Sequence, residues 1–295
     1  MYWIYDYPSW IIGPLFVAVF VAVTWIGIFL TRRTVHSWLH RDKRANKMIG
    51  DSLANFFVLF GILLGLLAVA TYQNYAAVGD IVDKEASSLS ALYRDVSAYP
   101  QPIRSQLQDG LREYTRYTIG EGWDEQRRGI VPRGGSKLIT SVLRLLLTFK
   151  PSTEREKIIH AETLRQYNIK VEFGRARLSN VATGLPSVLW WVVAFGALMN
   201  IILIWMQDME IHVHLILGAV LASILGAIIF LIAELDNPFR GEVSIGPEAV
   251  ARVYGGVMKP GAGLPVESCT QPCDASPPTL PAKPWMALHP SKKIA

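Results

Sequence analysis

Residues 185–206 read LPSVLWWVVAFGALMNIILIWM, and residues 215–233 read LILGAVLASILGAIIFLIA. Neither contains Asp, Glu, Lys or Arg. At about 1.5 Å of rise per helical residue, each is close to the thickness of a bilayer's hydrocarbon core. Towards the N-terminus, residues 10–30 and 53–72 are equally free of charge. The whole chain agrees with these four stretches. Of its 295 residues 51% are hydrophobic and only 18% charged, and the mean hydropathy is +0.27. A soluble domain carries about a quarter charged residues. The expectation is an all-α integral membrane protein with four transmembrane helices, and a soluble globular fold is excluded.

The rest of the chain falls around these spans. Residues 31–51, TRRTVHSWLHRDKRANKMIGD, hold six Lys/Arg (Arg32, Arg33, Arg41, Lys43, Arg44 and Lys47) against Asp42 and Asp51. Residues 73–184 hold 17 Lys/Arg and 13 Asp/Glu, an ordinary soluble surface. Apolar residues there recur at helical spacing: Val78, Ile81, Val82, Leu89, Leu92 and Val96, then Leu107, Leu111 and Tyr114. Leu138, Val142, Leu145 and Leu146 give a third face. Ile158, Ile159, Leu164, Val171, Leu178 and Val181 give a longer, looser one. No alternating run suggests a strand. Four segments follow: a helix pair with a basic loop at 10–72, a helical extramembrane domain at 73–184, a second helix pair at 185–236, and a Pro-rich, partly disordered tail at 237–295. Spans two and three are expected to continue as helices into the extramembrane domain, with two or three shorter helices between them.

Basic residues in short loops are retained in the cytoplasm. The 31–51 loop is therefore expected inside, with the N-terminus, the helical domain and the tail outside. Cys269 and Cys273 lie in that tail, where they form a small disulfide or have no structural role. No positively charged region precedes the first apolar run, so a cleaved signal peptide is not expected.

Many chemistries are excluded by what the sequence lacks. It has no GxxxxGK[ST] loop, HExxH helix, GxSxG elbow or GxGxxG turn. Gly134-Gly135-Ser136-Lys137 lacks the upstream glycine of a phosphate loop and reads as a flexible turn. No metal site, cofactor or nucleic-acid partner is expected; the formal charge of +5 is assigned to topology. His212 and His214, two residues apart, point to different helix faces and read as interfacial residues. Arg127, Arg128, Arg175 and Arg177 read as solvated helix faces.

Two constellations invite a pore. Asn200 is the strongly polar residue in the middle of span three; burying it against lipid is costly, so it either lines a pathway or bonds within the bundle. Thr24 and Ser223 satisfy their own helix backbone more readily. Glu234, Asp236 and Arg240 sit where span four leaves the membrane. In an oligomer they would ring a pore mouth; in a single subunit they make a local turn at Asn237-Pro238. Gly61 and Gly65 in span two, and Gly218, Ala222 and Gly226 in span four, let helix backbones approach closely, within or between subunits.

Several blocks carry a family resemblance: Glu85-Ala86 with Leu92-Tyr93-Arg94-Asp95, Tyr99-Pro100, the run RARLSNVATGL at 175–185 with Pro186 and Trp190, and LDNPFRGE at 235–242. Together they resemble a bacterial membrane family of unknown function labelled bestrophin-like, over roughly residues 10–255. Gly120-Glu121-Gly122-Trp123 departs from that family's acidic-Trp pattern by an inserted glycine. The resemblance implies a four-span, ion-channel-like fold. It also implies cytoplasmic termini, the opposite of the charge count. An oligomeric ion channel of the bacterial inner membrane is the expected function, with the lipid bilayer, further copies of the chain and inorganic ions as partners. The alternative is a non-conducting sensor or scaffold whose extramembrane helices bind a partner. No nucleophile, base and oxyanion donor come together, so no enzyme is expected.

Overall fold

Each of the four apolar stretches forms a helix. The computed structural model describes residues 5, 7–39 and 43–259, and no strand occurs among the described residues. α1 (Ser9–Leu39) and α2 (Lys43–Val96) carry the first two spans, and α7 (Ser187–Trp205) and α8 (Ile211–Leu235) the last two. Between α2 and α7 lie α3 (Ile103–Tyr117), α4 (Trp123–Arg127), α5 (Gly134–Thr148) and α6 (Glu154–Ser179), and α9 (Glu248–Gly256) follows α8. Among the described residues, four helical stretches are long and apolar enough to cross a membrane.

The 54 residues of α2 extend for about 80 Å, well beyond a hydrocarbon core. Its first part is the second span, and the remainder runs unbroken into the extramembrane domain, as the spacing predicts. Span three behaves differently. α6 ends at Ser179; Asn180–Ala182 form a short 3-10 helix, and residues 183–186 are irregular before α7 begins. Pro186 has no N–H and disfavours helical geometry at Leu185, so one continuous helix is blocked. The N–H of Leu185 is given instead to Asp236 Oδ1, at 2.5 Å.

Small residues set the bundle's close contacts. On α8, Ala222 is fully buried, and Cβ atoms added to Gly218 and Gly226 would meet Ile28, Thr24, Phe20 and Val17 of α1 at 3.1–3.4 Å. This stripe is how α1 and α8 pack along each other. Gly27 lies under the indole of Trp205, and Gly196 under the ring of Phe60. Leu64, Val193, Leu225 and Ile232 fill the space between. Trp10, Leu30, Trp191, Phe195 and Ile216 stay exposed, an outer face suited to hydrocarbon.

The inserted helical domain packs α3, α6 and α9 against the distal half of α2, with α5 against α3. Val78, Val82, Leu89, Leu92, Val96, Leu107, Leu111, Tyr114, Val142 and Leu146 are buried, as their spacing predicts. α6 opens with a capping box: Thr153 Oγ1 accepts the N–H of Glu156 at 3.2 Å, and Glu156 Oε2 accepts that of Thr153. Of the apolar face read from the sequence, Ile159, Leu164 and Val171 pack against the core at partial burial and Val181 just beyond α6 is buried, whereas Ile158 is 70% exposed. The fully buried stripe of α6 is a different, more polar one. Thr163, Tyr167, Lys170, Gly174 and Arg177 face inward, stepping by fours and threes. Residues 134–137 are the first turn of α5 and not a flexible turn; the Gly134 N–H donates to the Tyr117 hydroxyl at 3.2 Å. Beyond α8, Phe239, Ala249, Val250 and Met258 belong to this same core. Cys269 and Cys273, and the expected disorder of residues 260–295, lie outside the described residues.

Candidate functional site

Acids at the C-terminal end of a helix oppose its dipole, yet α8 ends in Glu234-Leu235-Asp236. The fold resolves this by presenting each acid to the opening of another helix. At the start of α1 the Ser9 hydroxyl donates to Glu234 Oε1 at 2.6 Å, and the Ser9 N–H donates to Glu242 Oε2 at 2.8 Å. Before α7, Asp236 accepts from Leu185 N, and from the Trp190 indole N–H at 3.3 Å. Tyr5 donates to the Ala233 carbonyl at 2.6 Å and accepts from Asn237 Nδ2 at 2.7 Å; burial, above all, pushes its phenol up to about 12. Arg240 donates to the Arg128 carbonyl at 2.7 Å. Its guanidinium occupies the space of any Cβ on Gly129, which holds φ at +74°, a conformation that favours glycine.

Asn200 lies apart from this cluster. It is thirteen residues into α7 from Ser187, about 20 Å along the helix. It is fully buried in the protomer, donates to its own helix at the Gly196 carbonyl (3.0 Å), and its Oδ1 has no partner among the described residues. Thr24 and Ser223 bond to the Phe20 and Ala219 carbonyls of their own helices. His212 is exposed, whereas His214 is buried with Nε2 2.9 Å from the Ile204 carbonyl.

The sequence reading misses the most concentrated polar site. Glu85 on α2 is 1% exposed, and Lys170 and Arg177 on α6 are 2% and 3% exposed. Arg177 is therefore no solvated residue: it grips Glu85 with Nε at 2.5 Å and Nη2 at 3.3 Å, and Gln126 Oε1 with Nη1 at 2.5 Å. Its guanidinium also stacks over Trp123, 5.0 Å from the ring centroid. Tyr114 donates to Glu85 Oε1 at 3.2 Å. Lys170 Nζ sits 3.6 Å from that oxygen and 3.6 Å from the centroid of the Tyr114 ring. Burial pushes the Glu85 carboxyl up, but Arg177 and then Lys170 outweigh it and hold it below the usual carboxylate range. The available signal was position, because 170 and 177 are a heptad apart on α6.

On the membrane side, α2 presents an open face. A Cβ on Gly61 or Gly65 would meet nothing within 4 Å, so these two glycines pack against nothing in the protomer. Val58, Ile62, Leu66 and Val69 are exposed beside them, and Asn55 and Gln73 bound the stripe.

Four membrane spans with a helical domain set between the second and the third define an all-helical integral membrane protein of bestrophin-like architecture. The chain belongs to the bestrophin-like family, whose domain is matched over residues 18–250. The crystal structure of a bacterial bestrophin homologue from Klebsiella pneumoniae superposes with a TM-score of 0.57 at 12% identity, covering 81% of this chain and 96% of that one. A point variant of that homologue gives 0.60 at 9% identity over 82% and 98%. At such identities the likeness is one of fold. No protein of curated function matches the chain in sequence.

Proposed function

We propose that the chain is one subunit of a homo-oligomeric ion-permeation pathway in the bacterial inner membrane, with the open face of α2 turned to the shared axis. That face carries the reading. A bundle filled by Phe60, Leu64, Val193, Leu225 and Ile229 has no room for a path inside one protomer, so a path has to run between copies. Glycines exposed on a span admit a second helix at close range, and Asn55 on the same face is costly to leave against lipid. The channel-like character implied by family resemblance agrees. In this reading Glu234, Asp236 and Arg240 fix the end of the bundle and Asn200 is an interior residue. A pore role for the four requires contacts between subunits.

Replacing Gly61 and Gly65 together by leucine tests this. The protomer has open space at both positions, so folding should be retained. The current carried by the full-length protein in planar bilayers should fall by at least about tenfold, or the oligomer should dissociate on size-exclusion chromatography, because the close helix approach that glycines permit is lost at every interface. If the wild type passes no current, the sensor or scaffold reading replaces this one. If the double variant conducts and assembles normally, α2 is not the axis helix.

Orientation follows the same proposal. The basic residues of 31–51 place the α1–α2 connection in the cytoplasm. Ser37 is exposed, so a Ser37→Cys variant should resist a membrane-impermeant thiol reagent in intact cells and react after lysis. Labelling in intact cells would reverse the orientation.

A further inference from the structure

A cavity of ≈ 140 Å³ opens beside the buried ion cluster, between α3, α5 and α6. Three cations line it (Lys170, Arg175 and Arg177) and no carboxylate does; Glu85, which pairs with Lys170 and Arg177, is not part of the lining. Lys170 and Arg177 thus share one carboxylate, so positive charge is in excess here. The Lys170 side chain is 98% buried; its pair with Glu85 is a loose 3.6 Å, and its Nζ lies 3.6 Å from the centre of the Tyr114 ring. Gly174 lets it lie there, since a Cβ would come within 3.4 Å of Nζ. Arg175 stands at the exposed edge and makes no ion pair among the described residues.

The opposite wall supplies further positive character. Gly135 and Ser136, in the first turn of α5, line the cavity. Arg133 precedes that helix without a capping side chain, and no acid occupies its first turn. The Gly134 N–H is taken by the Tyr117 hydroxyl, and the amides that follow it at the opening of this 15-residue helix favour an anion. Lys170 shares Glu85 with Arg177, and an anion in the cavity would supply the close acceptor that its 3.6 Å pair does not. Tyr114, Tyr167, Ile139 and Val171 give the cavity an aromatic and aliphatic wall beside the polar Gln126 and Thr140. A bare inorganic ion would leave that surface unused. Tyr117, Thr118 and Gly122, which begin or lie within a π-helical turn, complete the wall, and such turns gather at functional sites.

From this placement we infer that the extramembrane domain binds a small organic carboxylate. Its charged end meets Lys170 and the start of α5, Arg175 lies at the entrance, and a short apolar body rests against Tyr167 and Ile139. A cavity of this size holds about six heavy atoms, a carboxylate of about three or four carbons in all, given that about 150 Å³ takes one benzene. The inference does not depend on whether the protein conducts ions.

Isothermal titration of the full-length, detergent-solubilised protein with propionate tests it, with methyl propionate as the neutral isostere. Propionate should bind saturably, once per protomer, and the ester should not. Lys170→Met should weaken binding by roughly tenfold or more, the loss of a charge-assisted hydrogen bond. Arg175→Gln, at an exposed position that folding does not need, should weaken it several-fold, which keeps the test decisive if Lys170→Met fails to fold. Absence of propionate binding, equal binding of the ester, or an unchanged affinity in Arg175→Gln would each overturn the inference. So would displacement by chloride without any preference for the carboxylate.

Discussion

Replacing Glu85 by leucine is expected to unfold the extramembrane domain. The substitution leaves Lys170 and Arg177 buried at 2% and 3% exposure with no carboxylate between them. Removing one partner of a buried ion pair costs about 3–5 kcal/mol, a large share of a domain's stability. Circular dichroism of the solubilised protein should show loss of a helical transition at a temperature the wild type survives. If unpaired charge is the cause, adding Lys170→Met and Arg177→Met to Glu85→Leu should restore much of the stability, because an apolar replacement of a whole buried cluster is often neutral. A triple variant no more stable than Glu85→Leu would point to packing instead. Acid provides a second handle. The Glu85 carboxyl is held below its unfolded value by Arg177 and Lys170, which outweigh burial. A depressed folded pKa gives stability that is full above the unfolded value, about 4.3, and is lost as pH falls through the folded value. The wild-type domain should therefore resist mild acid and weaken only well below the ordinary carboxylate range. Glu85→Gln should lack that acid-dependent step.

The same cluster shows where a sequence stops being legible. The four spans could be read directly because lipid demands charge-free helices of a set length, a constraint that acts on every residue in turn. The inner faces of α2 and α3 were equally readable, since Leu89, Leu92, Leu107 and Leu111 are apolar and buried at helical spacing. On α6 the rule covers only part of the inward face. Its most buried residues include a lysine and an arginine, which are almost never buried unless paired, and the partner of Arg177 is 92 residues away on α2. No window of local sequence contains both. The acids at the end of α8 were visible as a problem of dipole and charge. Their solution, the openings of α1 and α7, again lies across the fold. Gly120 to Trp123 shows the intermediate case. An inserted glycine could be suspected from the resemblance, and a π-helical turn at Thr118–Gly122 is the form that one extra residue takes within a helix.

In the membrane, the largest loss is expected from Gly27→Val. A Cβ at position 27 falls inside the indole of Trp205, where the ring lies flat against the α1 backbone. That ring is fixed from a second side, because its Nε1–H donates to the Thr24 carbonyl at 3.1 Å on the turn below. The clash is with the body of a rigid ring, so no rotation of a terminal group relieves it. Either Trp205 leaves and abandons its hydrogen bond, or α1 and the end of α7 separate. Overpacking of this kind costs about 1–3 kcal/mol, and the lost bond adds roughly 1. The midpoint of thermal unfolding in detergent should fall accordingly. Adding Trp205→Leu should recover most of the loss, as two residues in direct contact are coupled. Gly61→Val introduces the same side chain into open space on α2 and should leave the protomer's midpoint nearly unchanged. Equal midpoints for Gly27→Val and Gly61→Val, or no recovery with Trp205→Leu, would show that this glycine–indole contact does not hold the bundle.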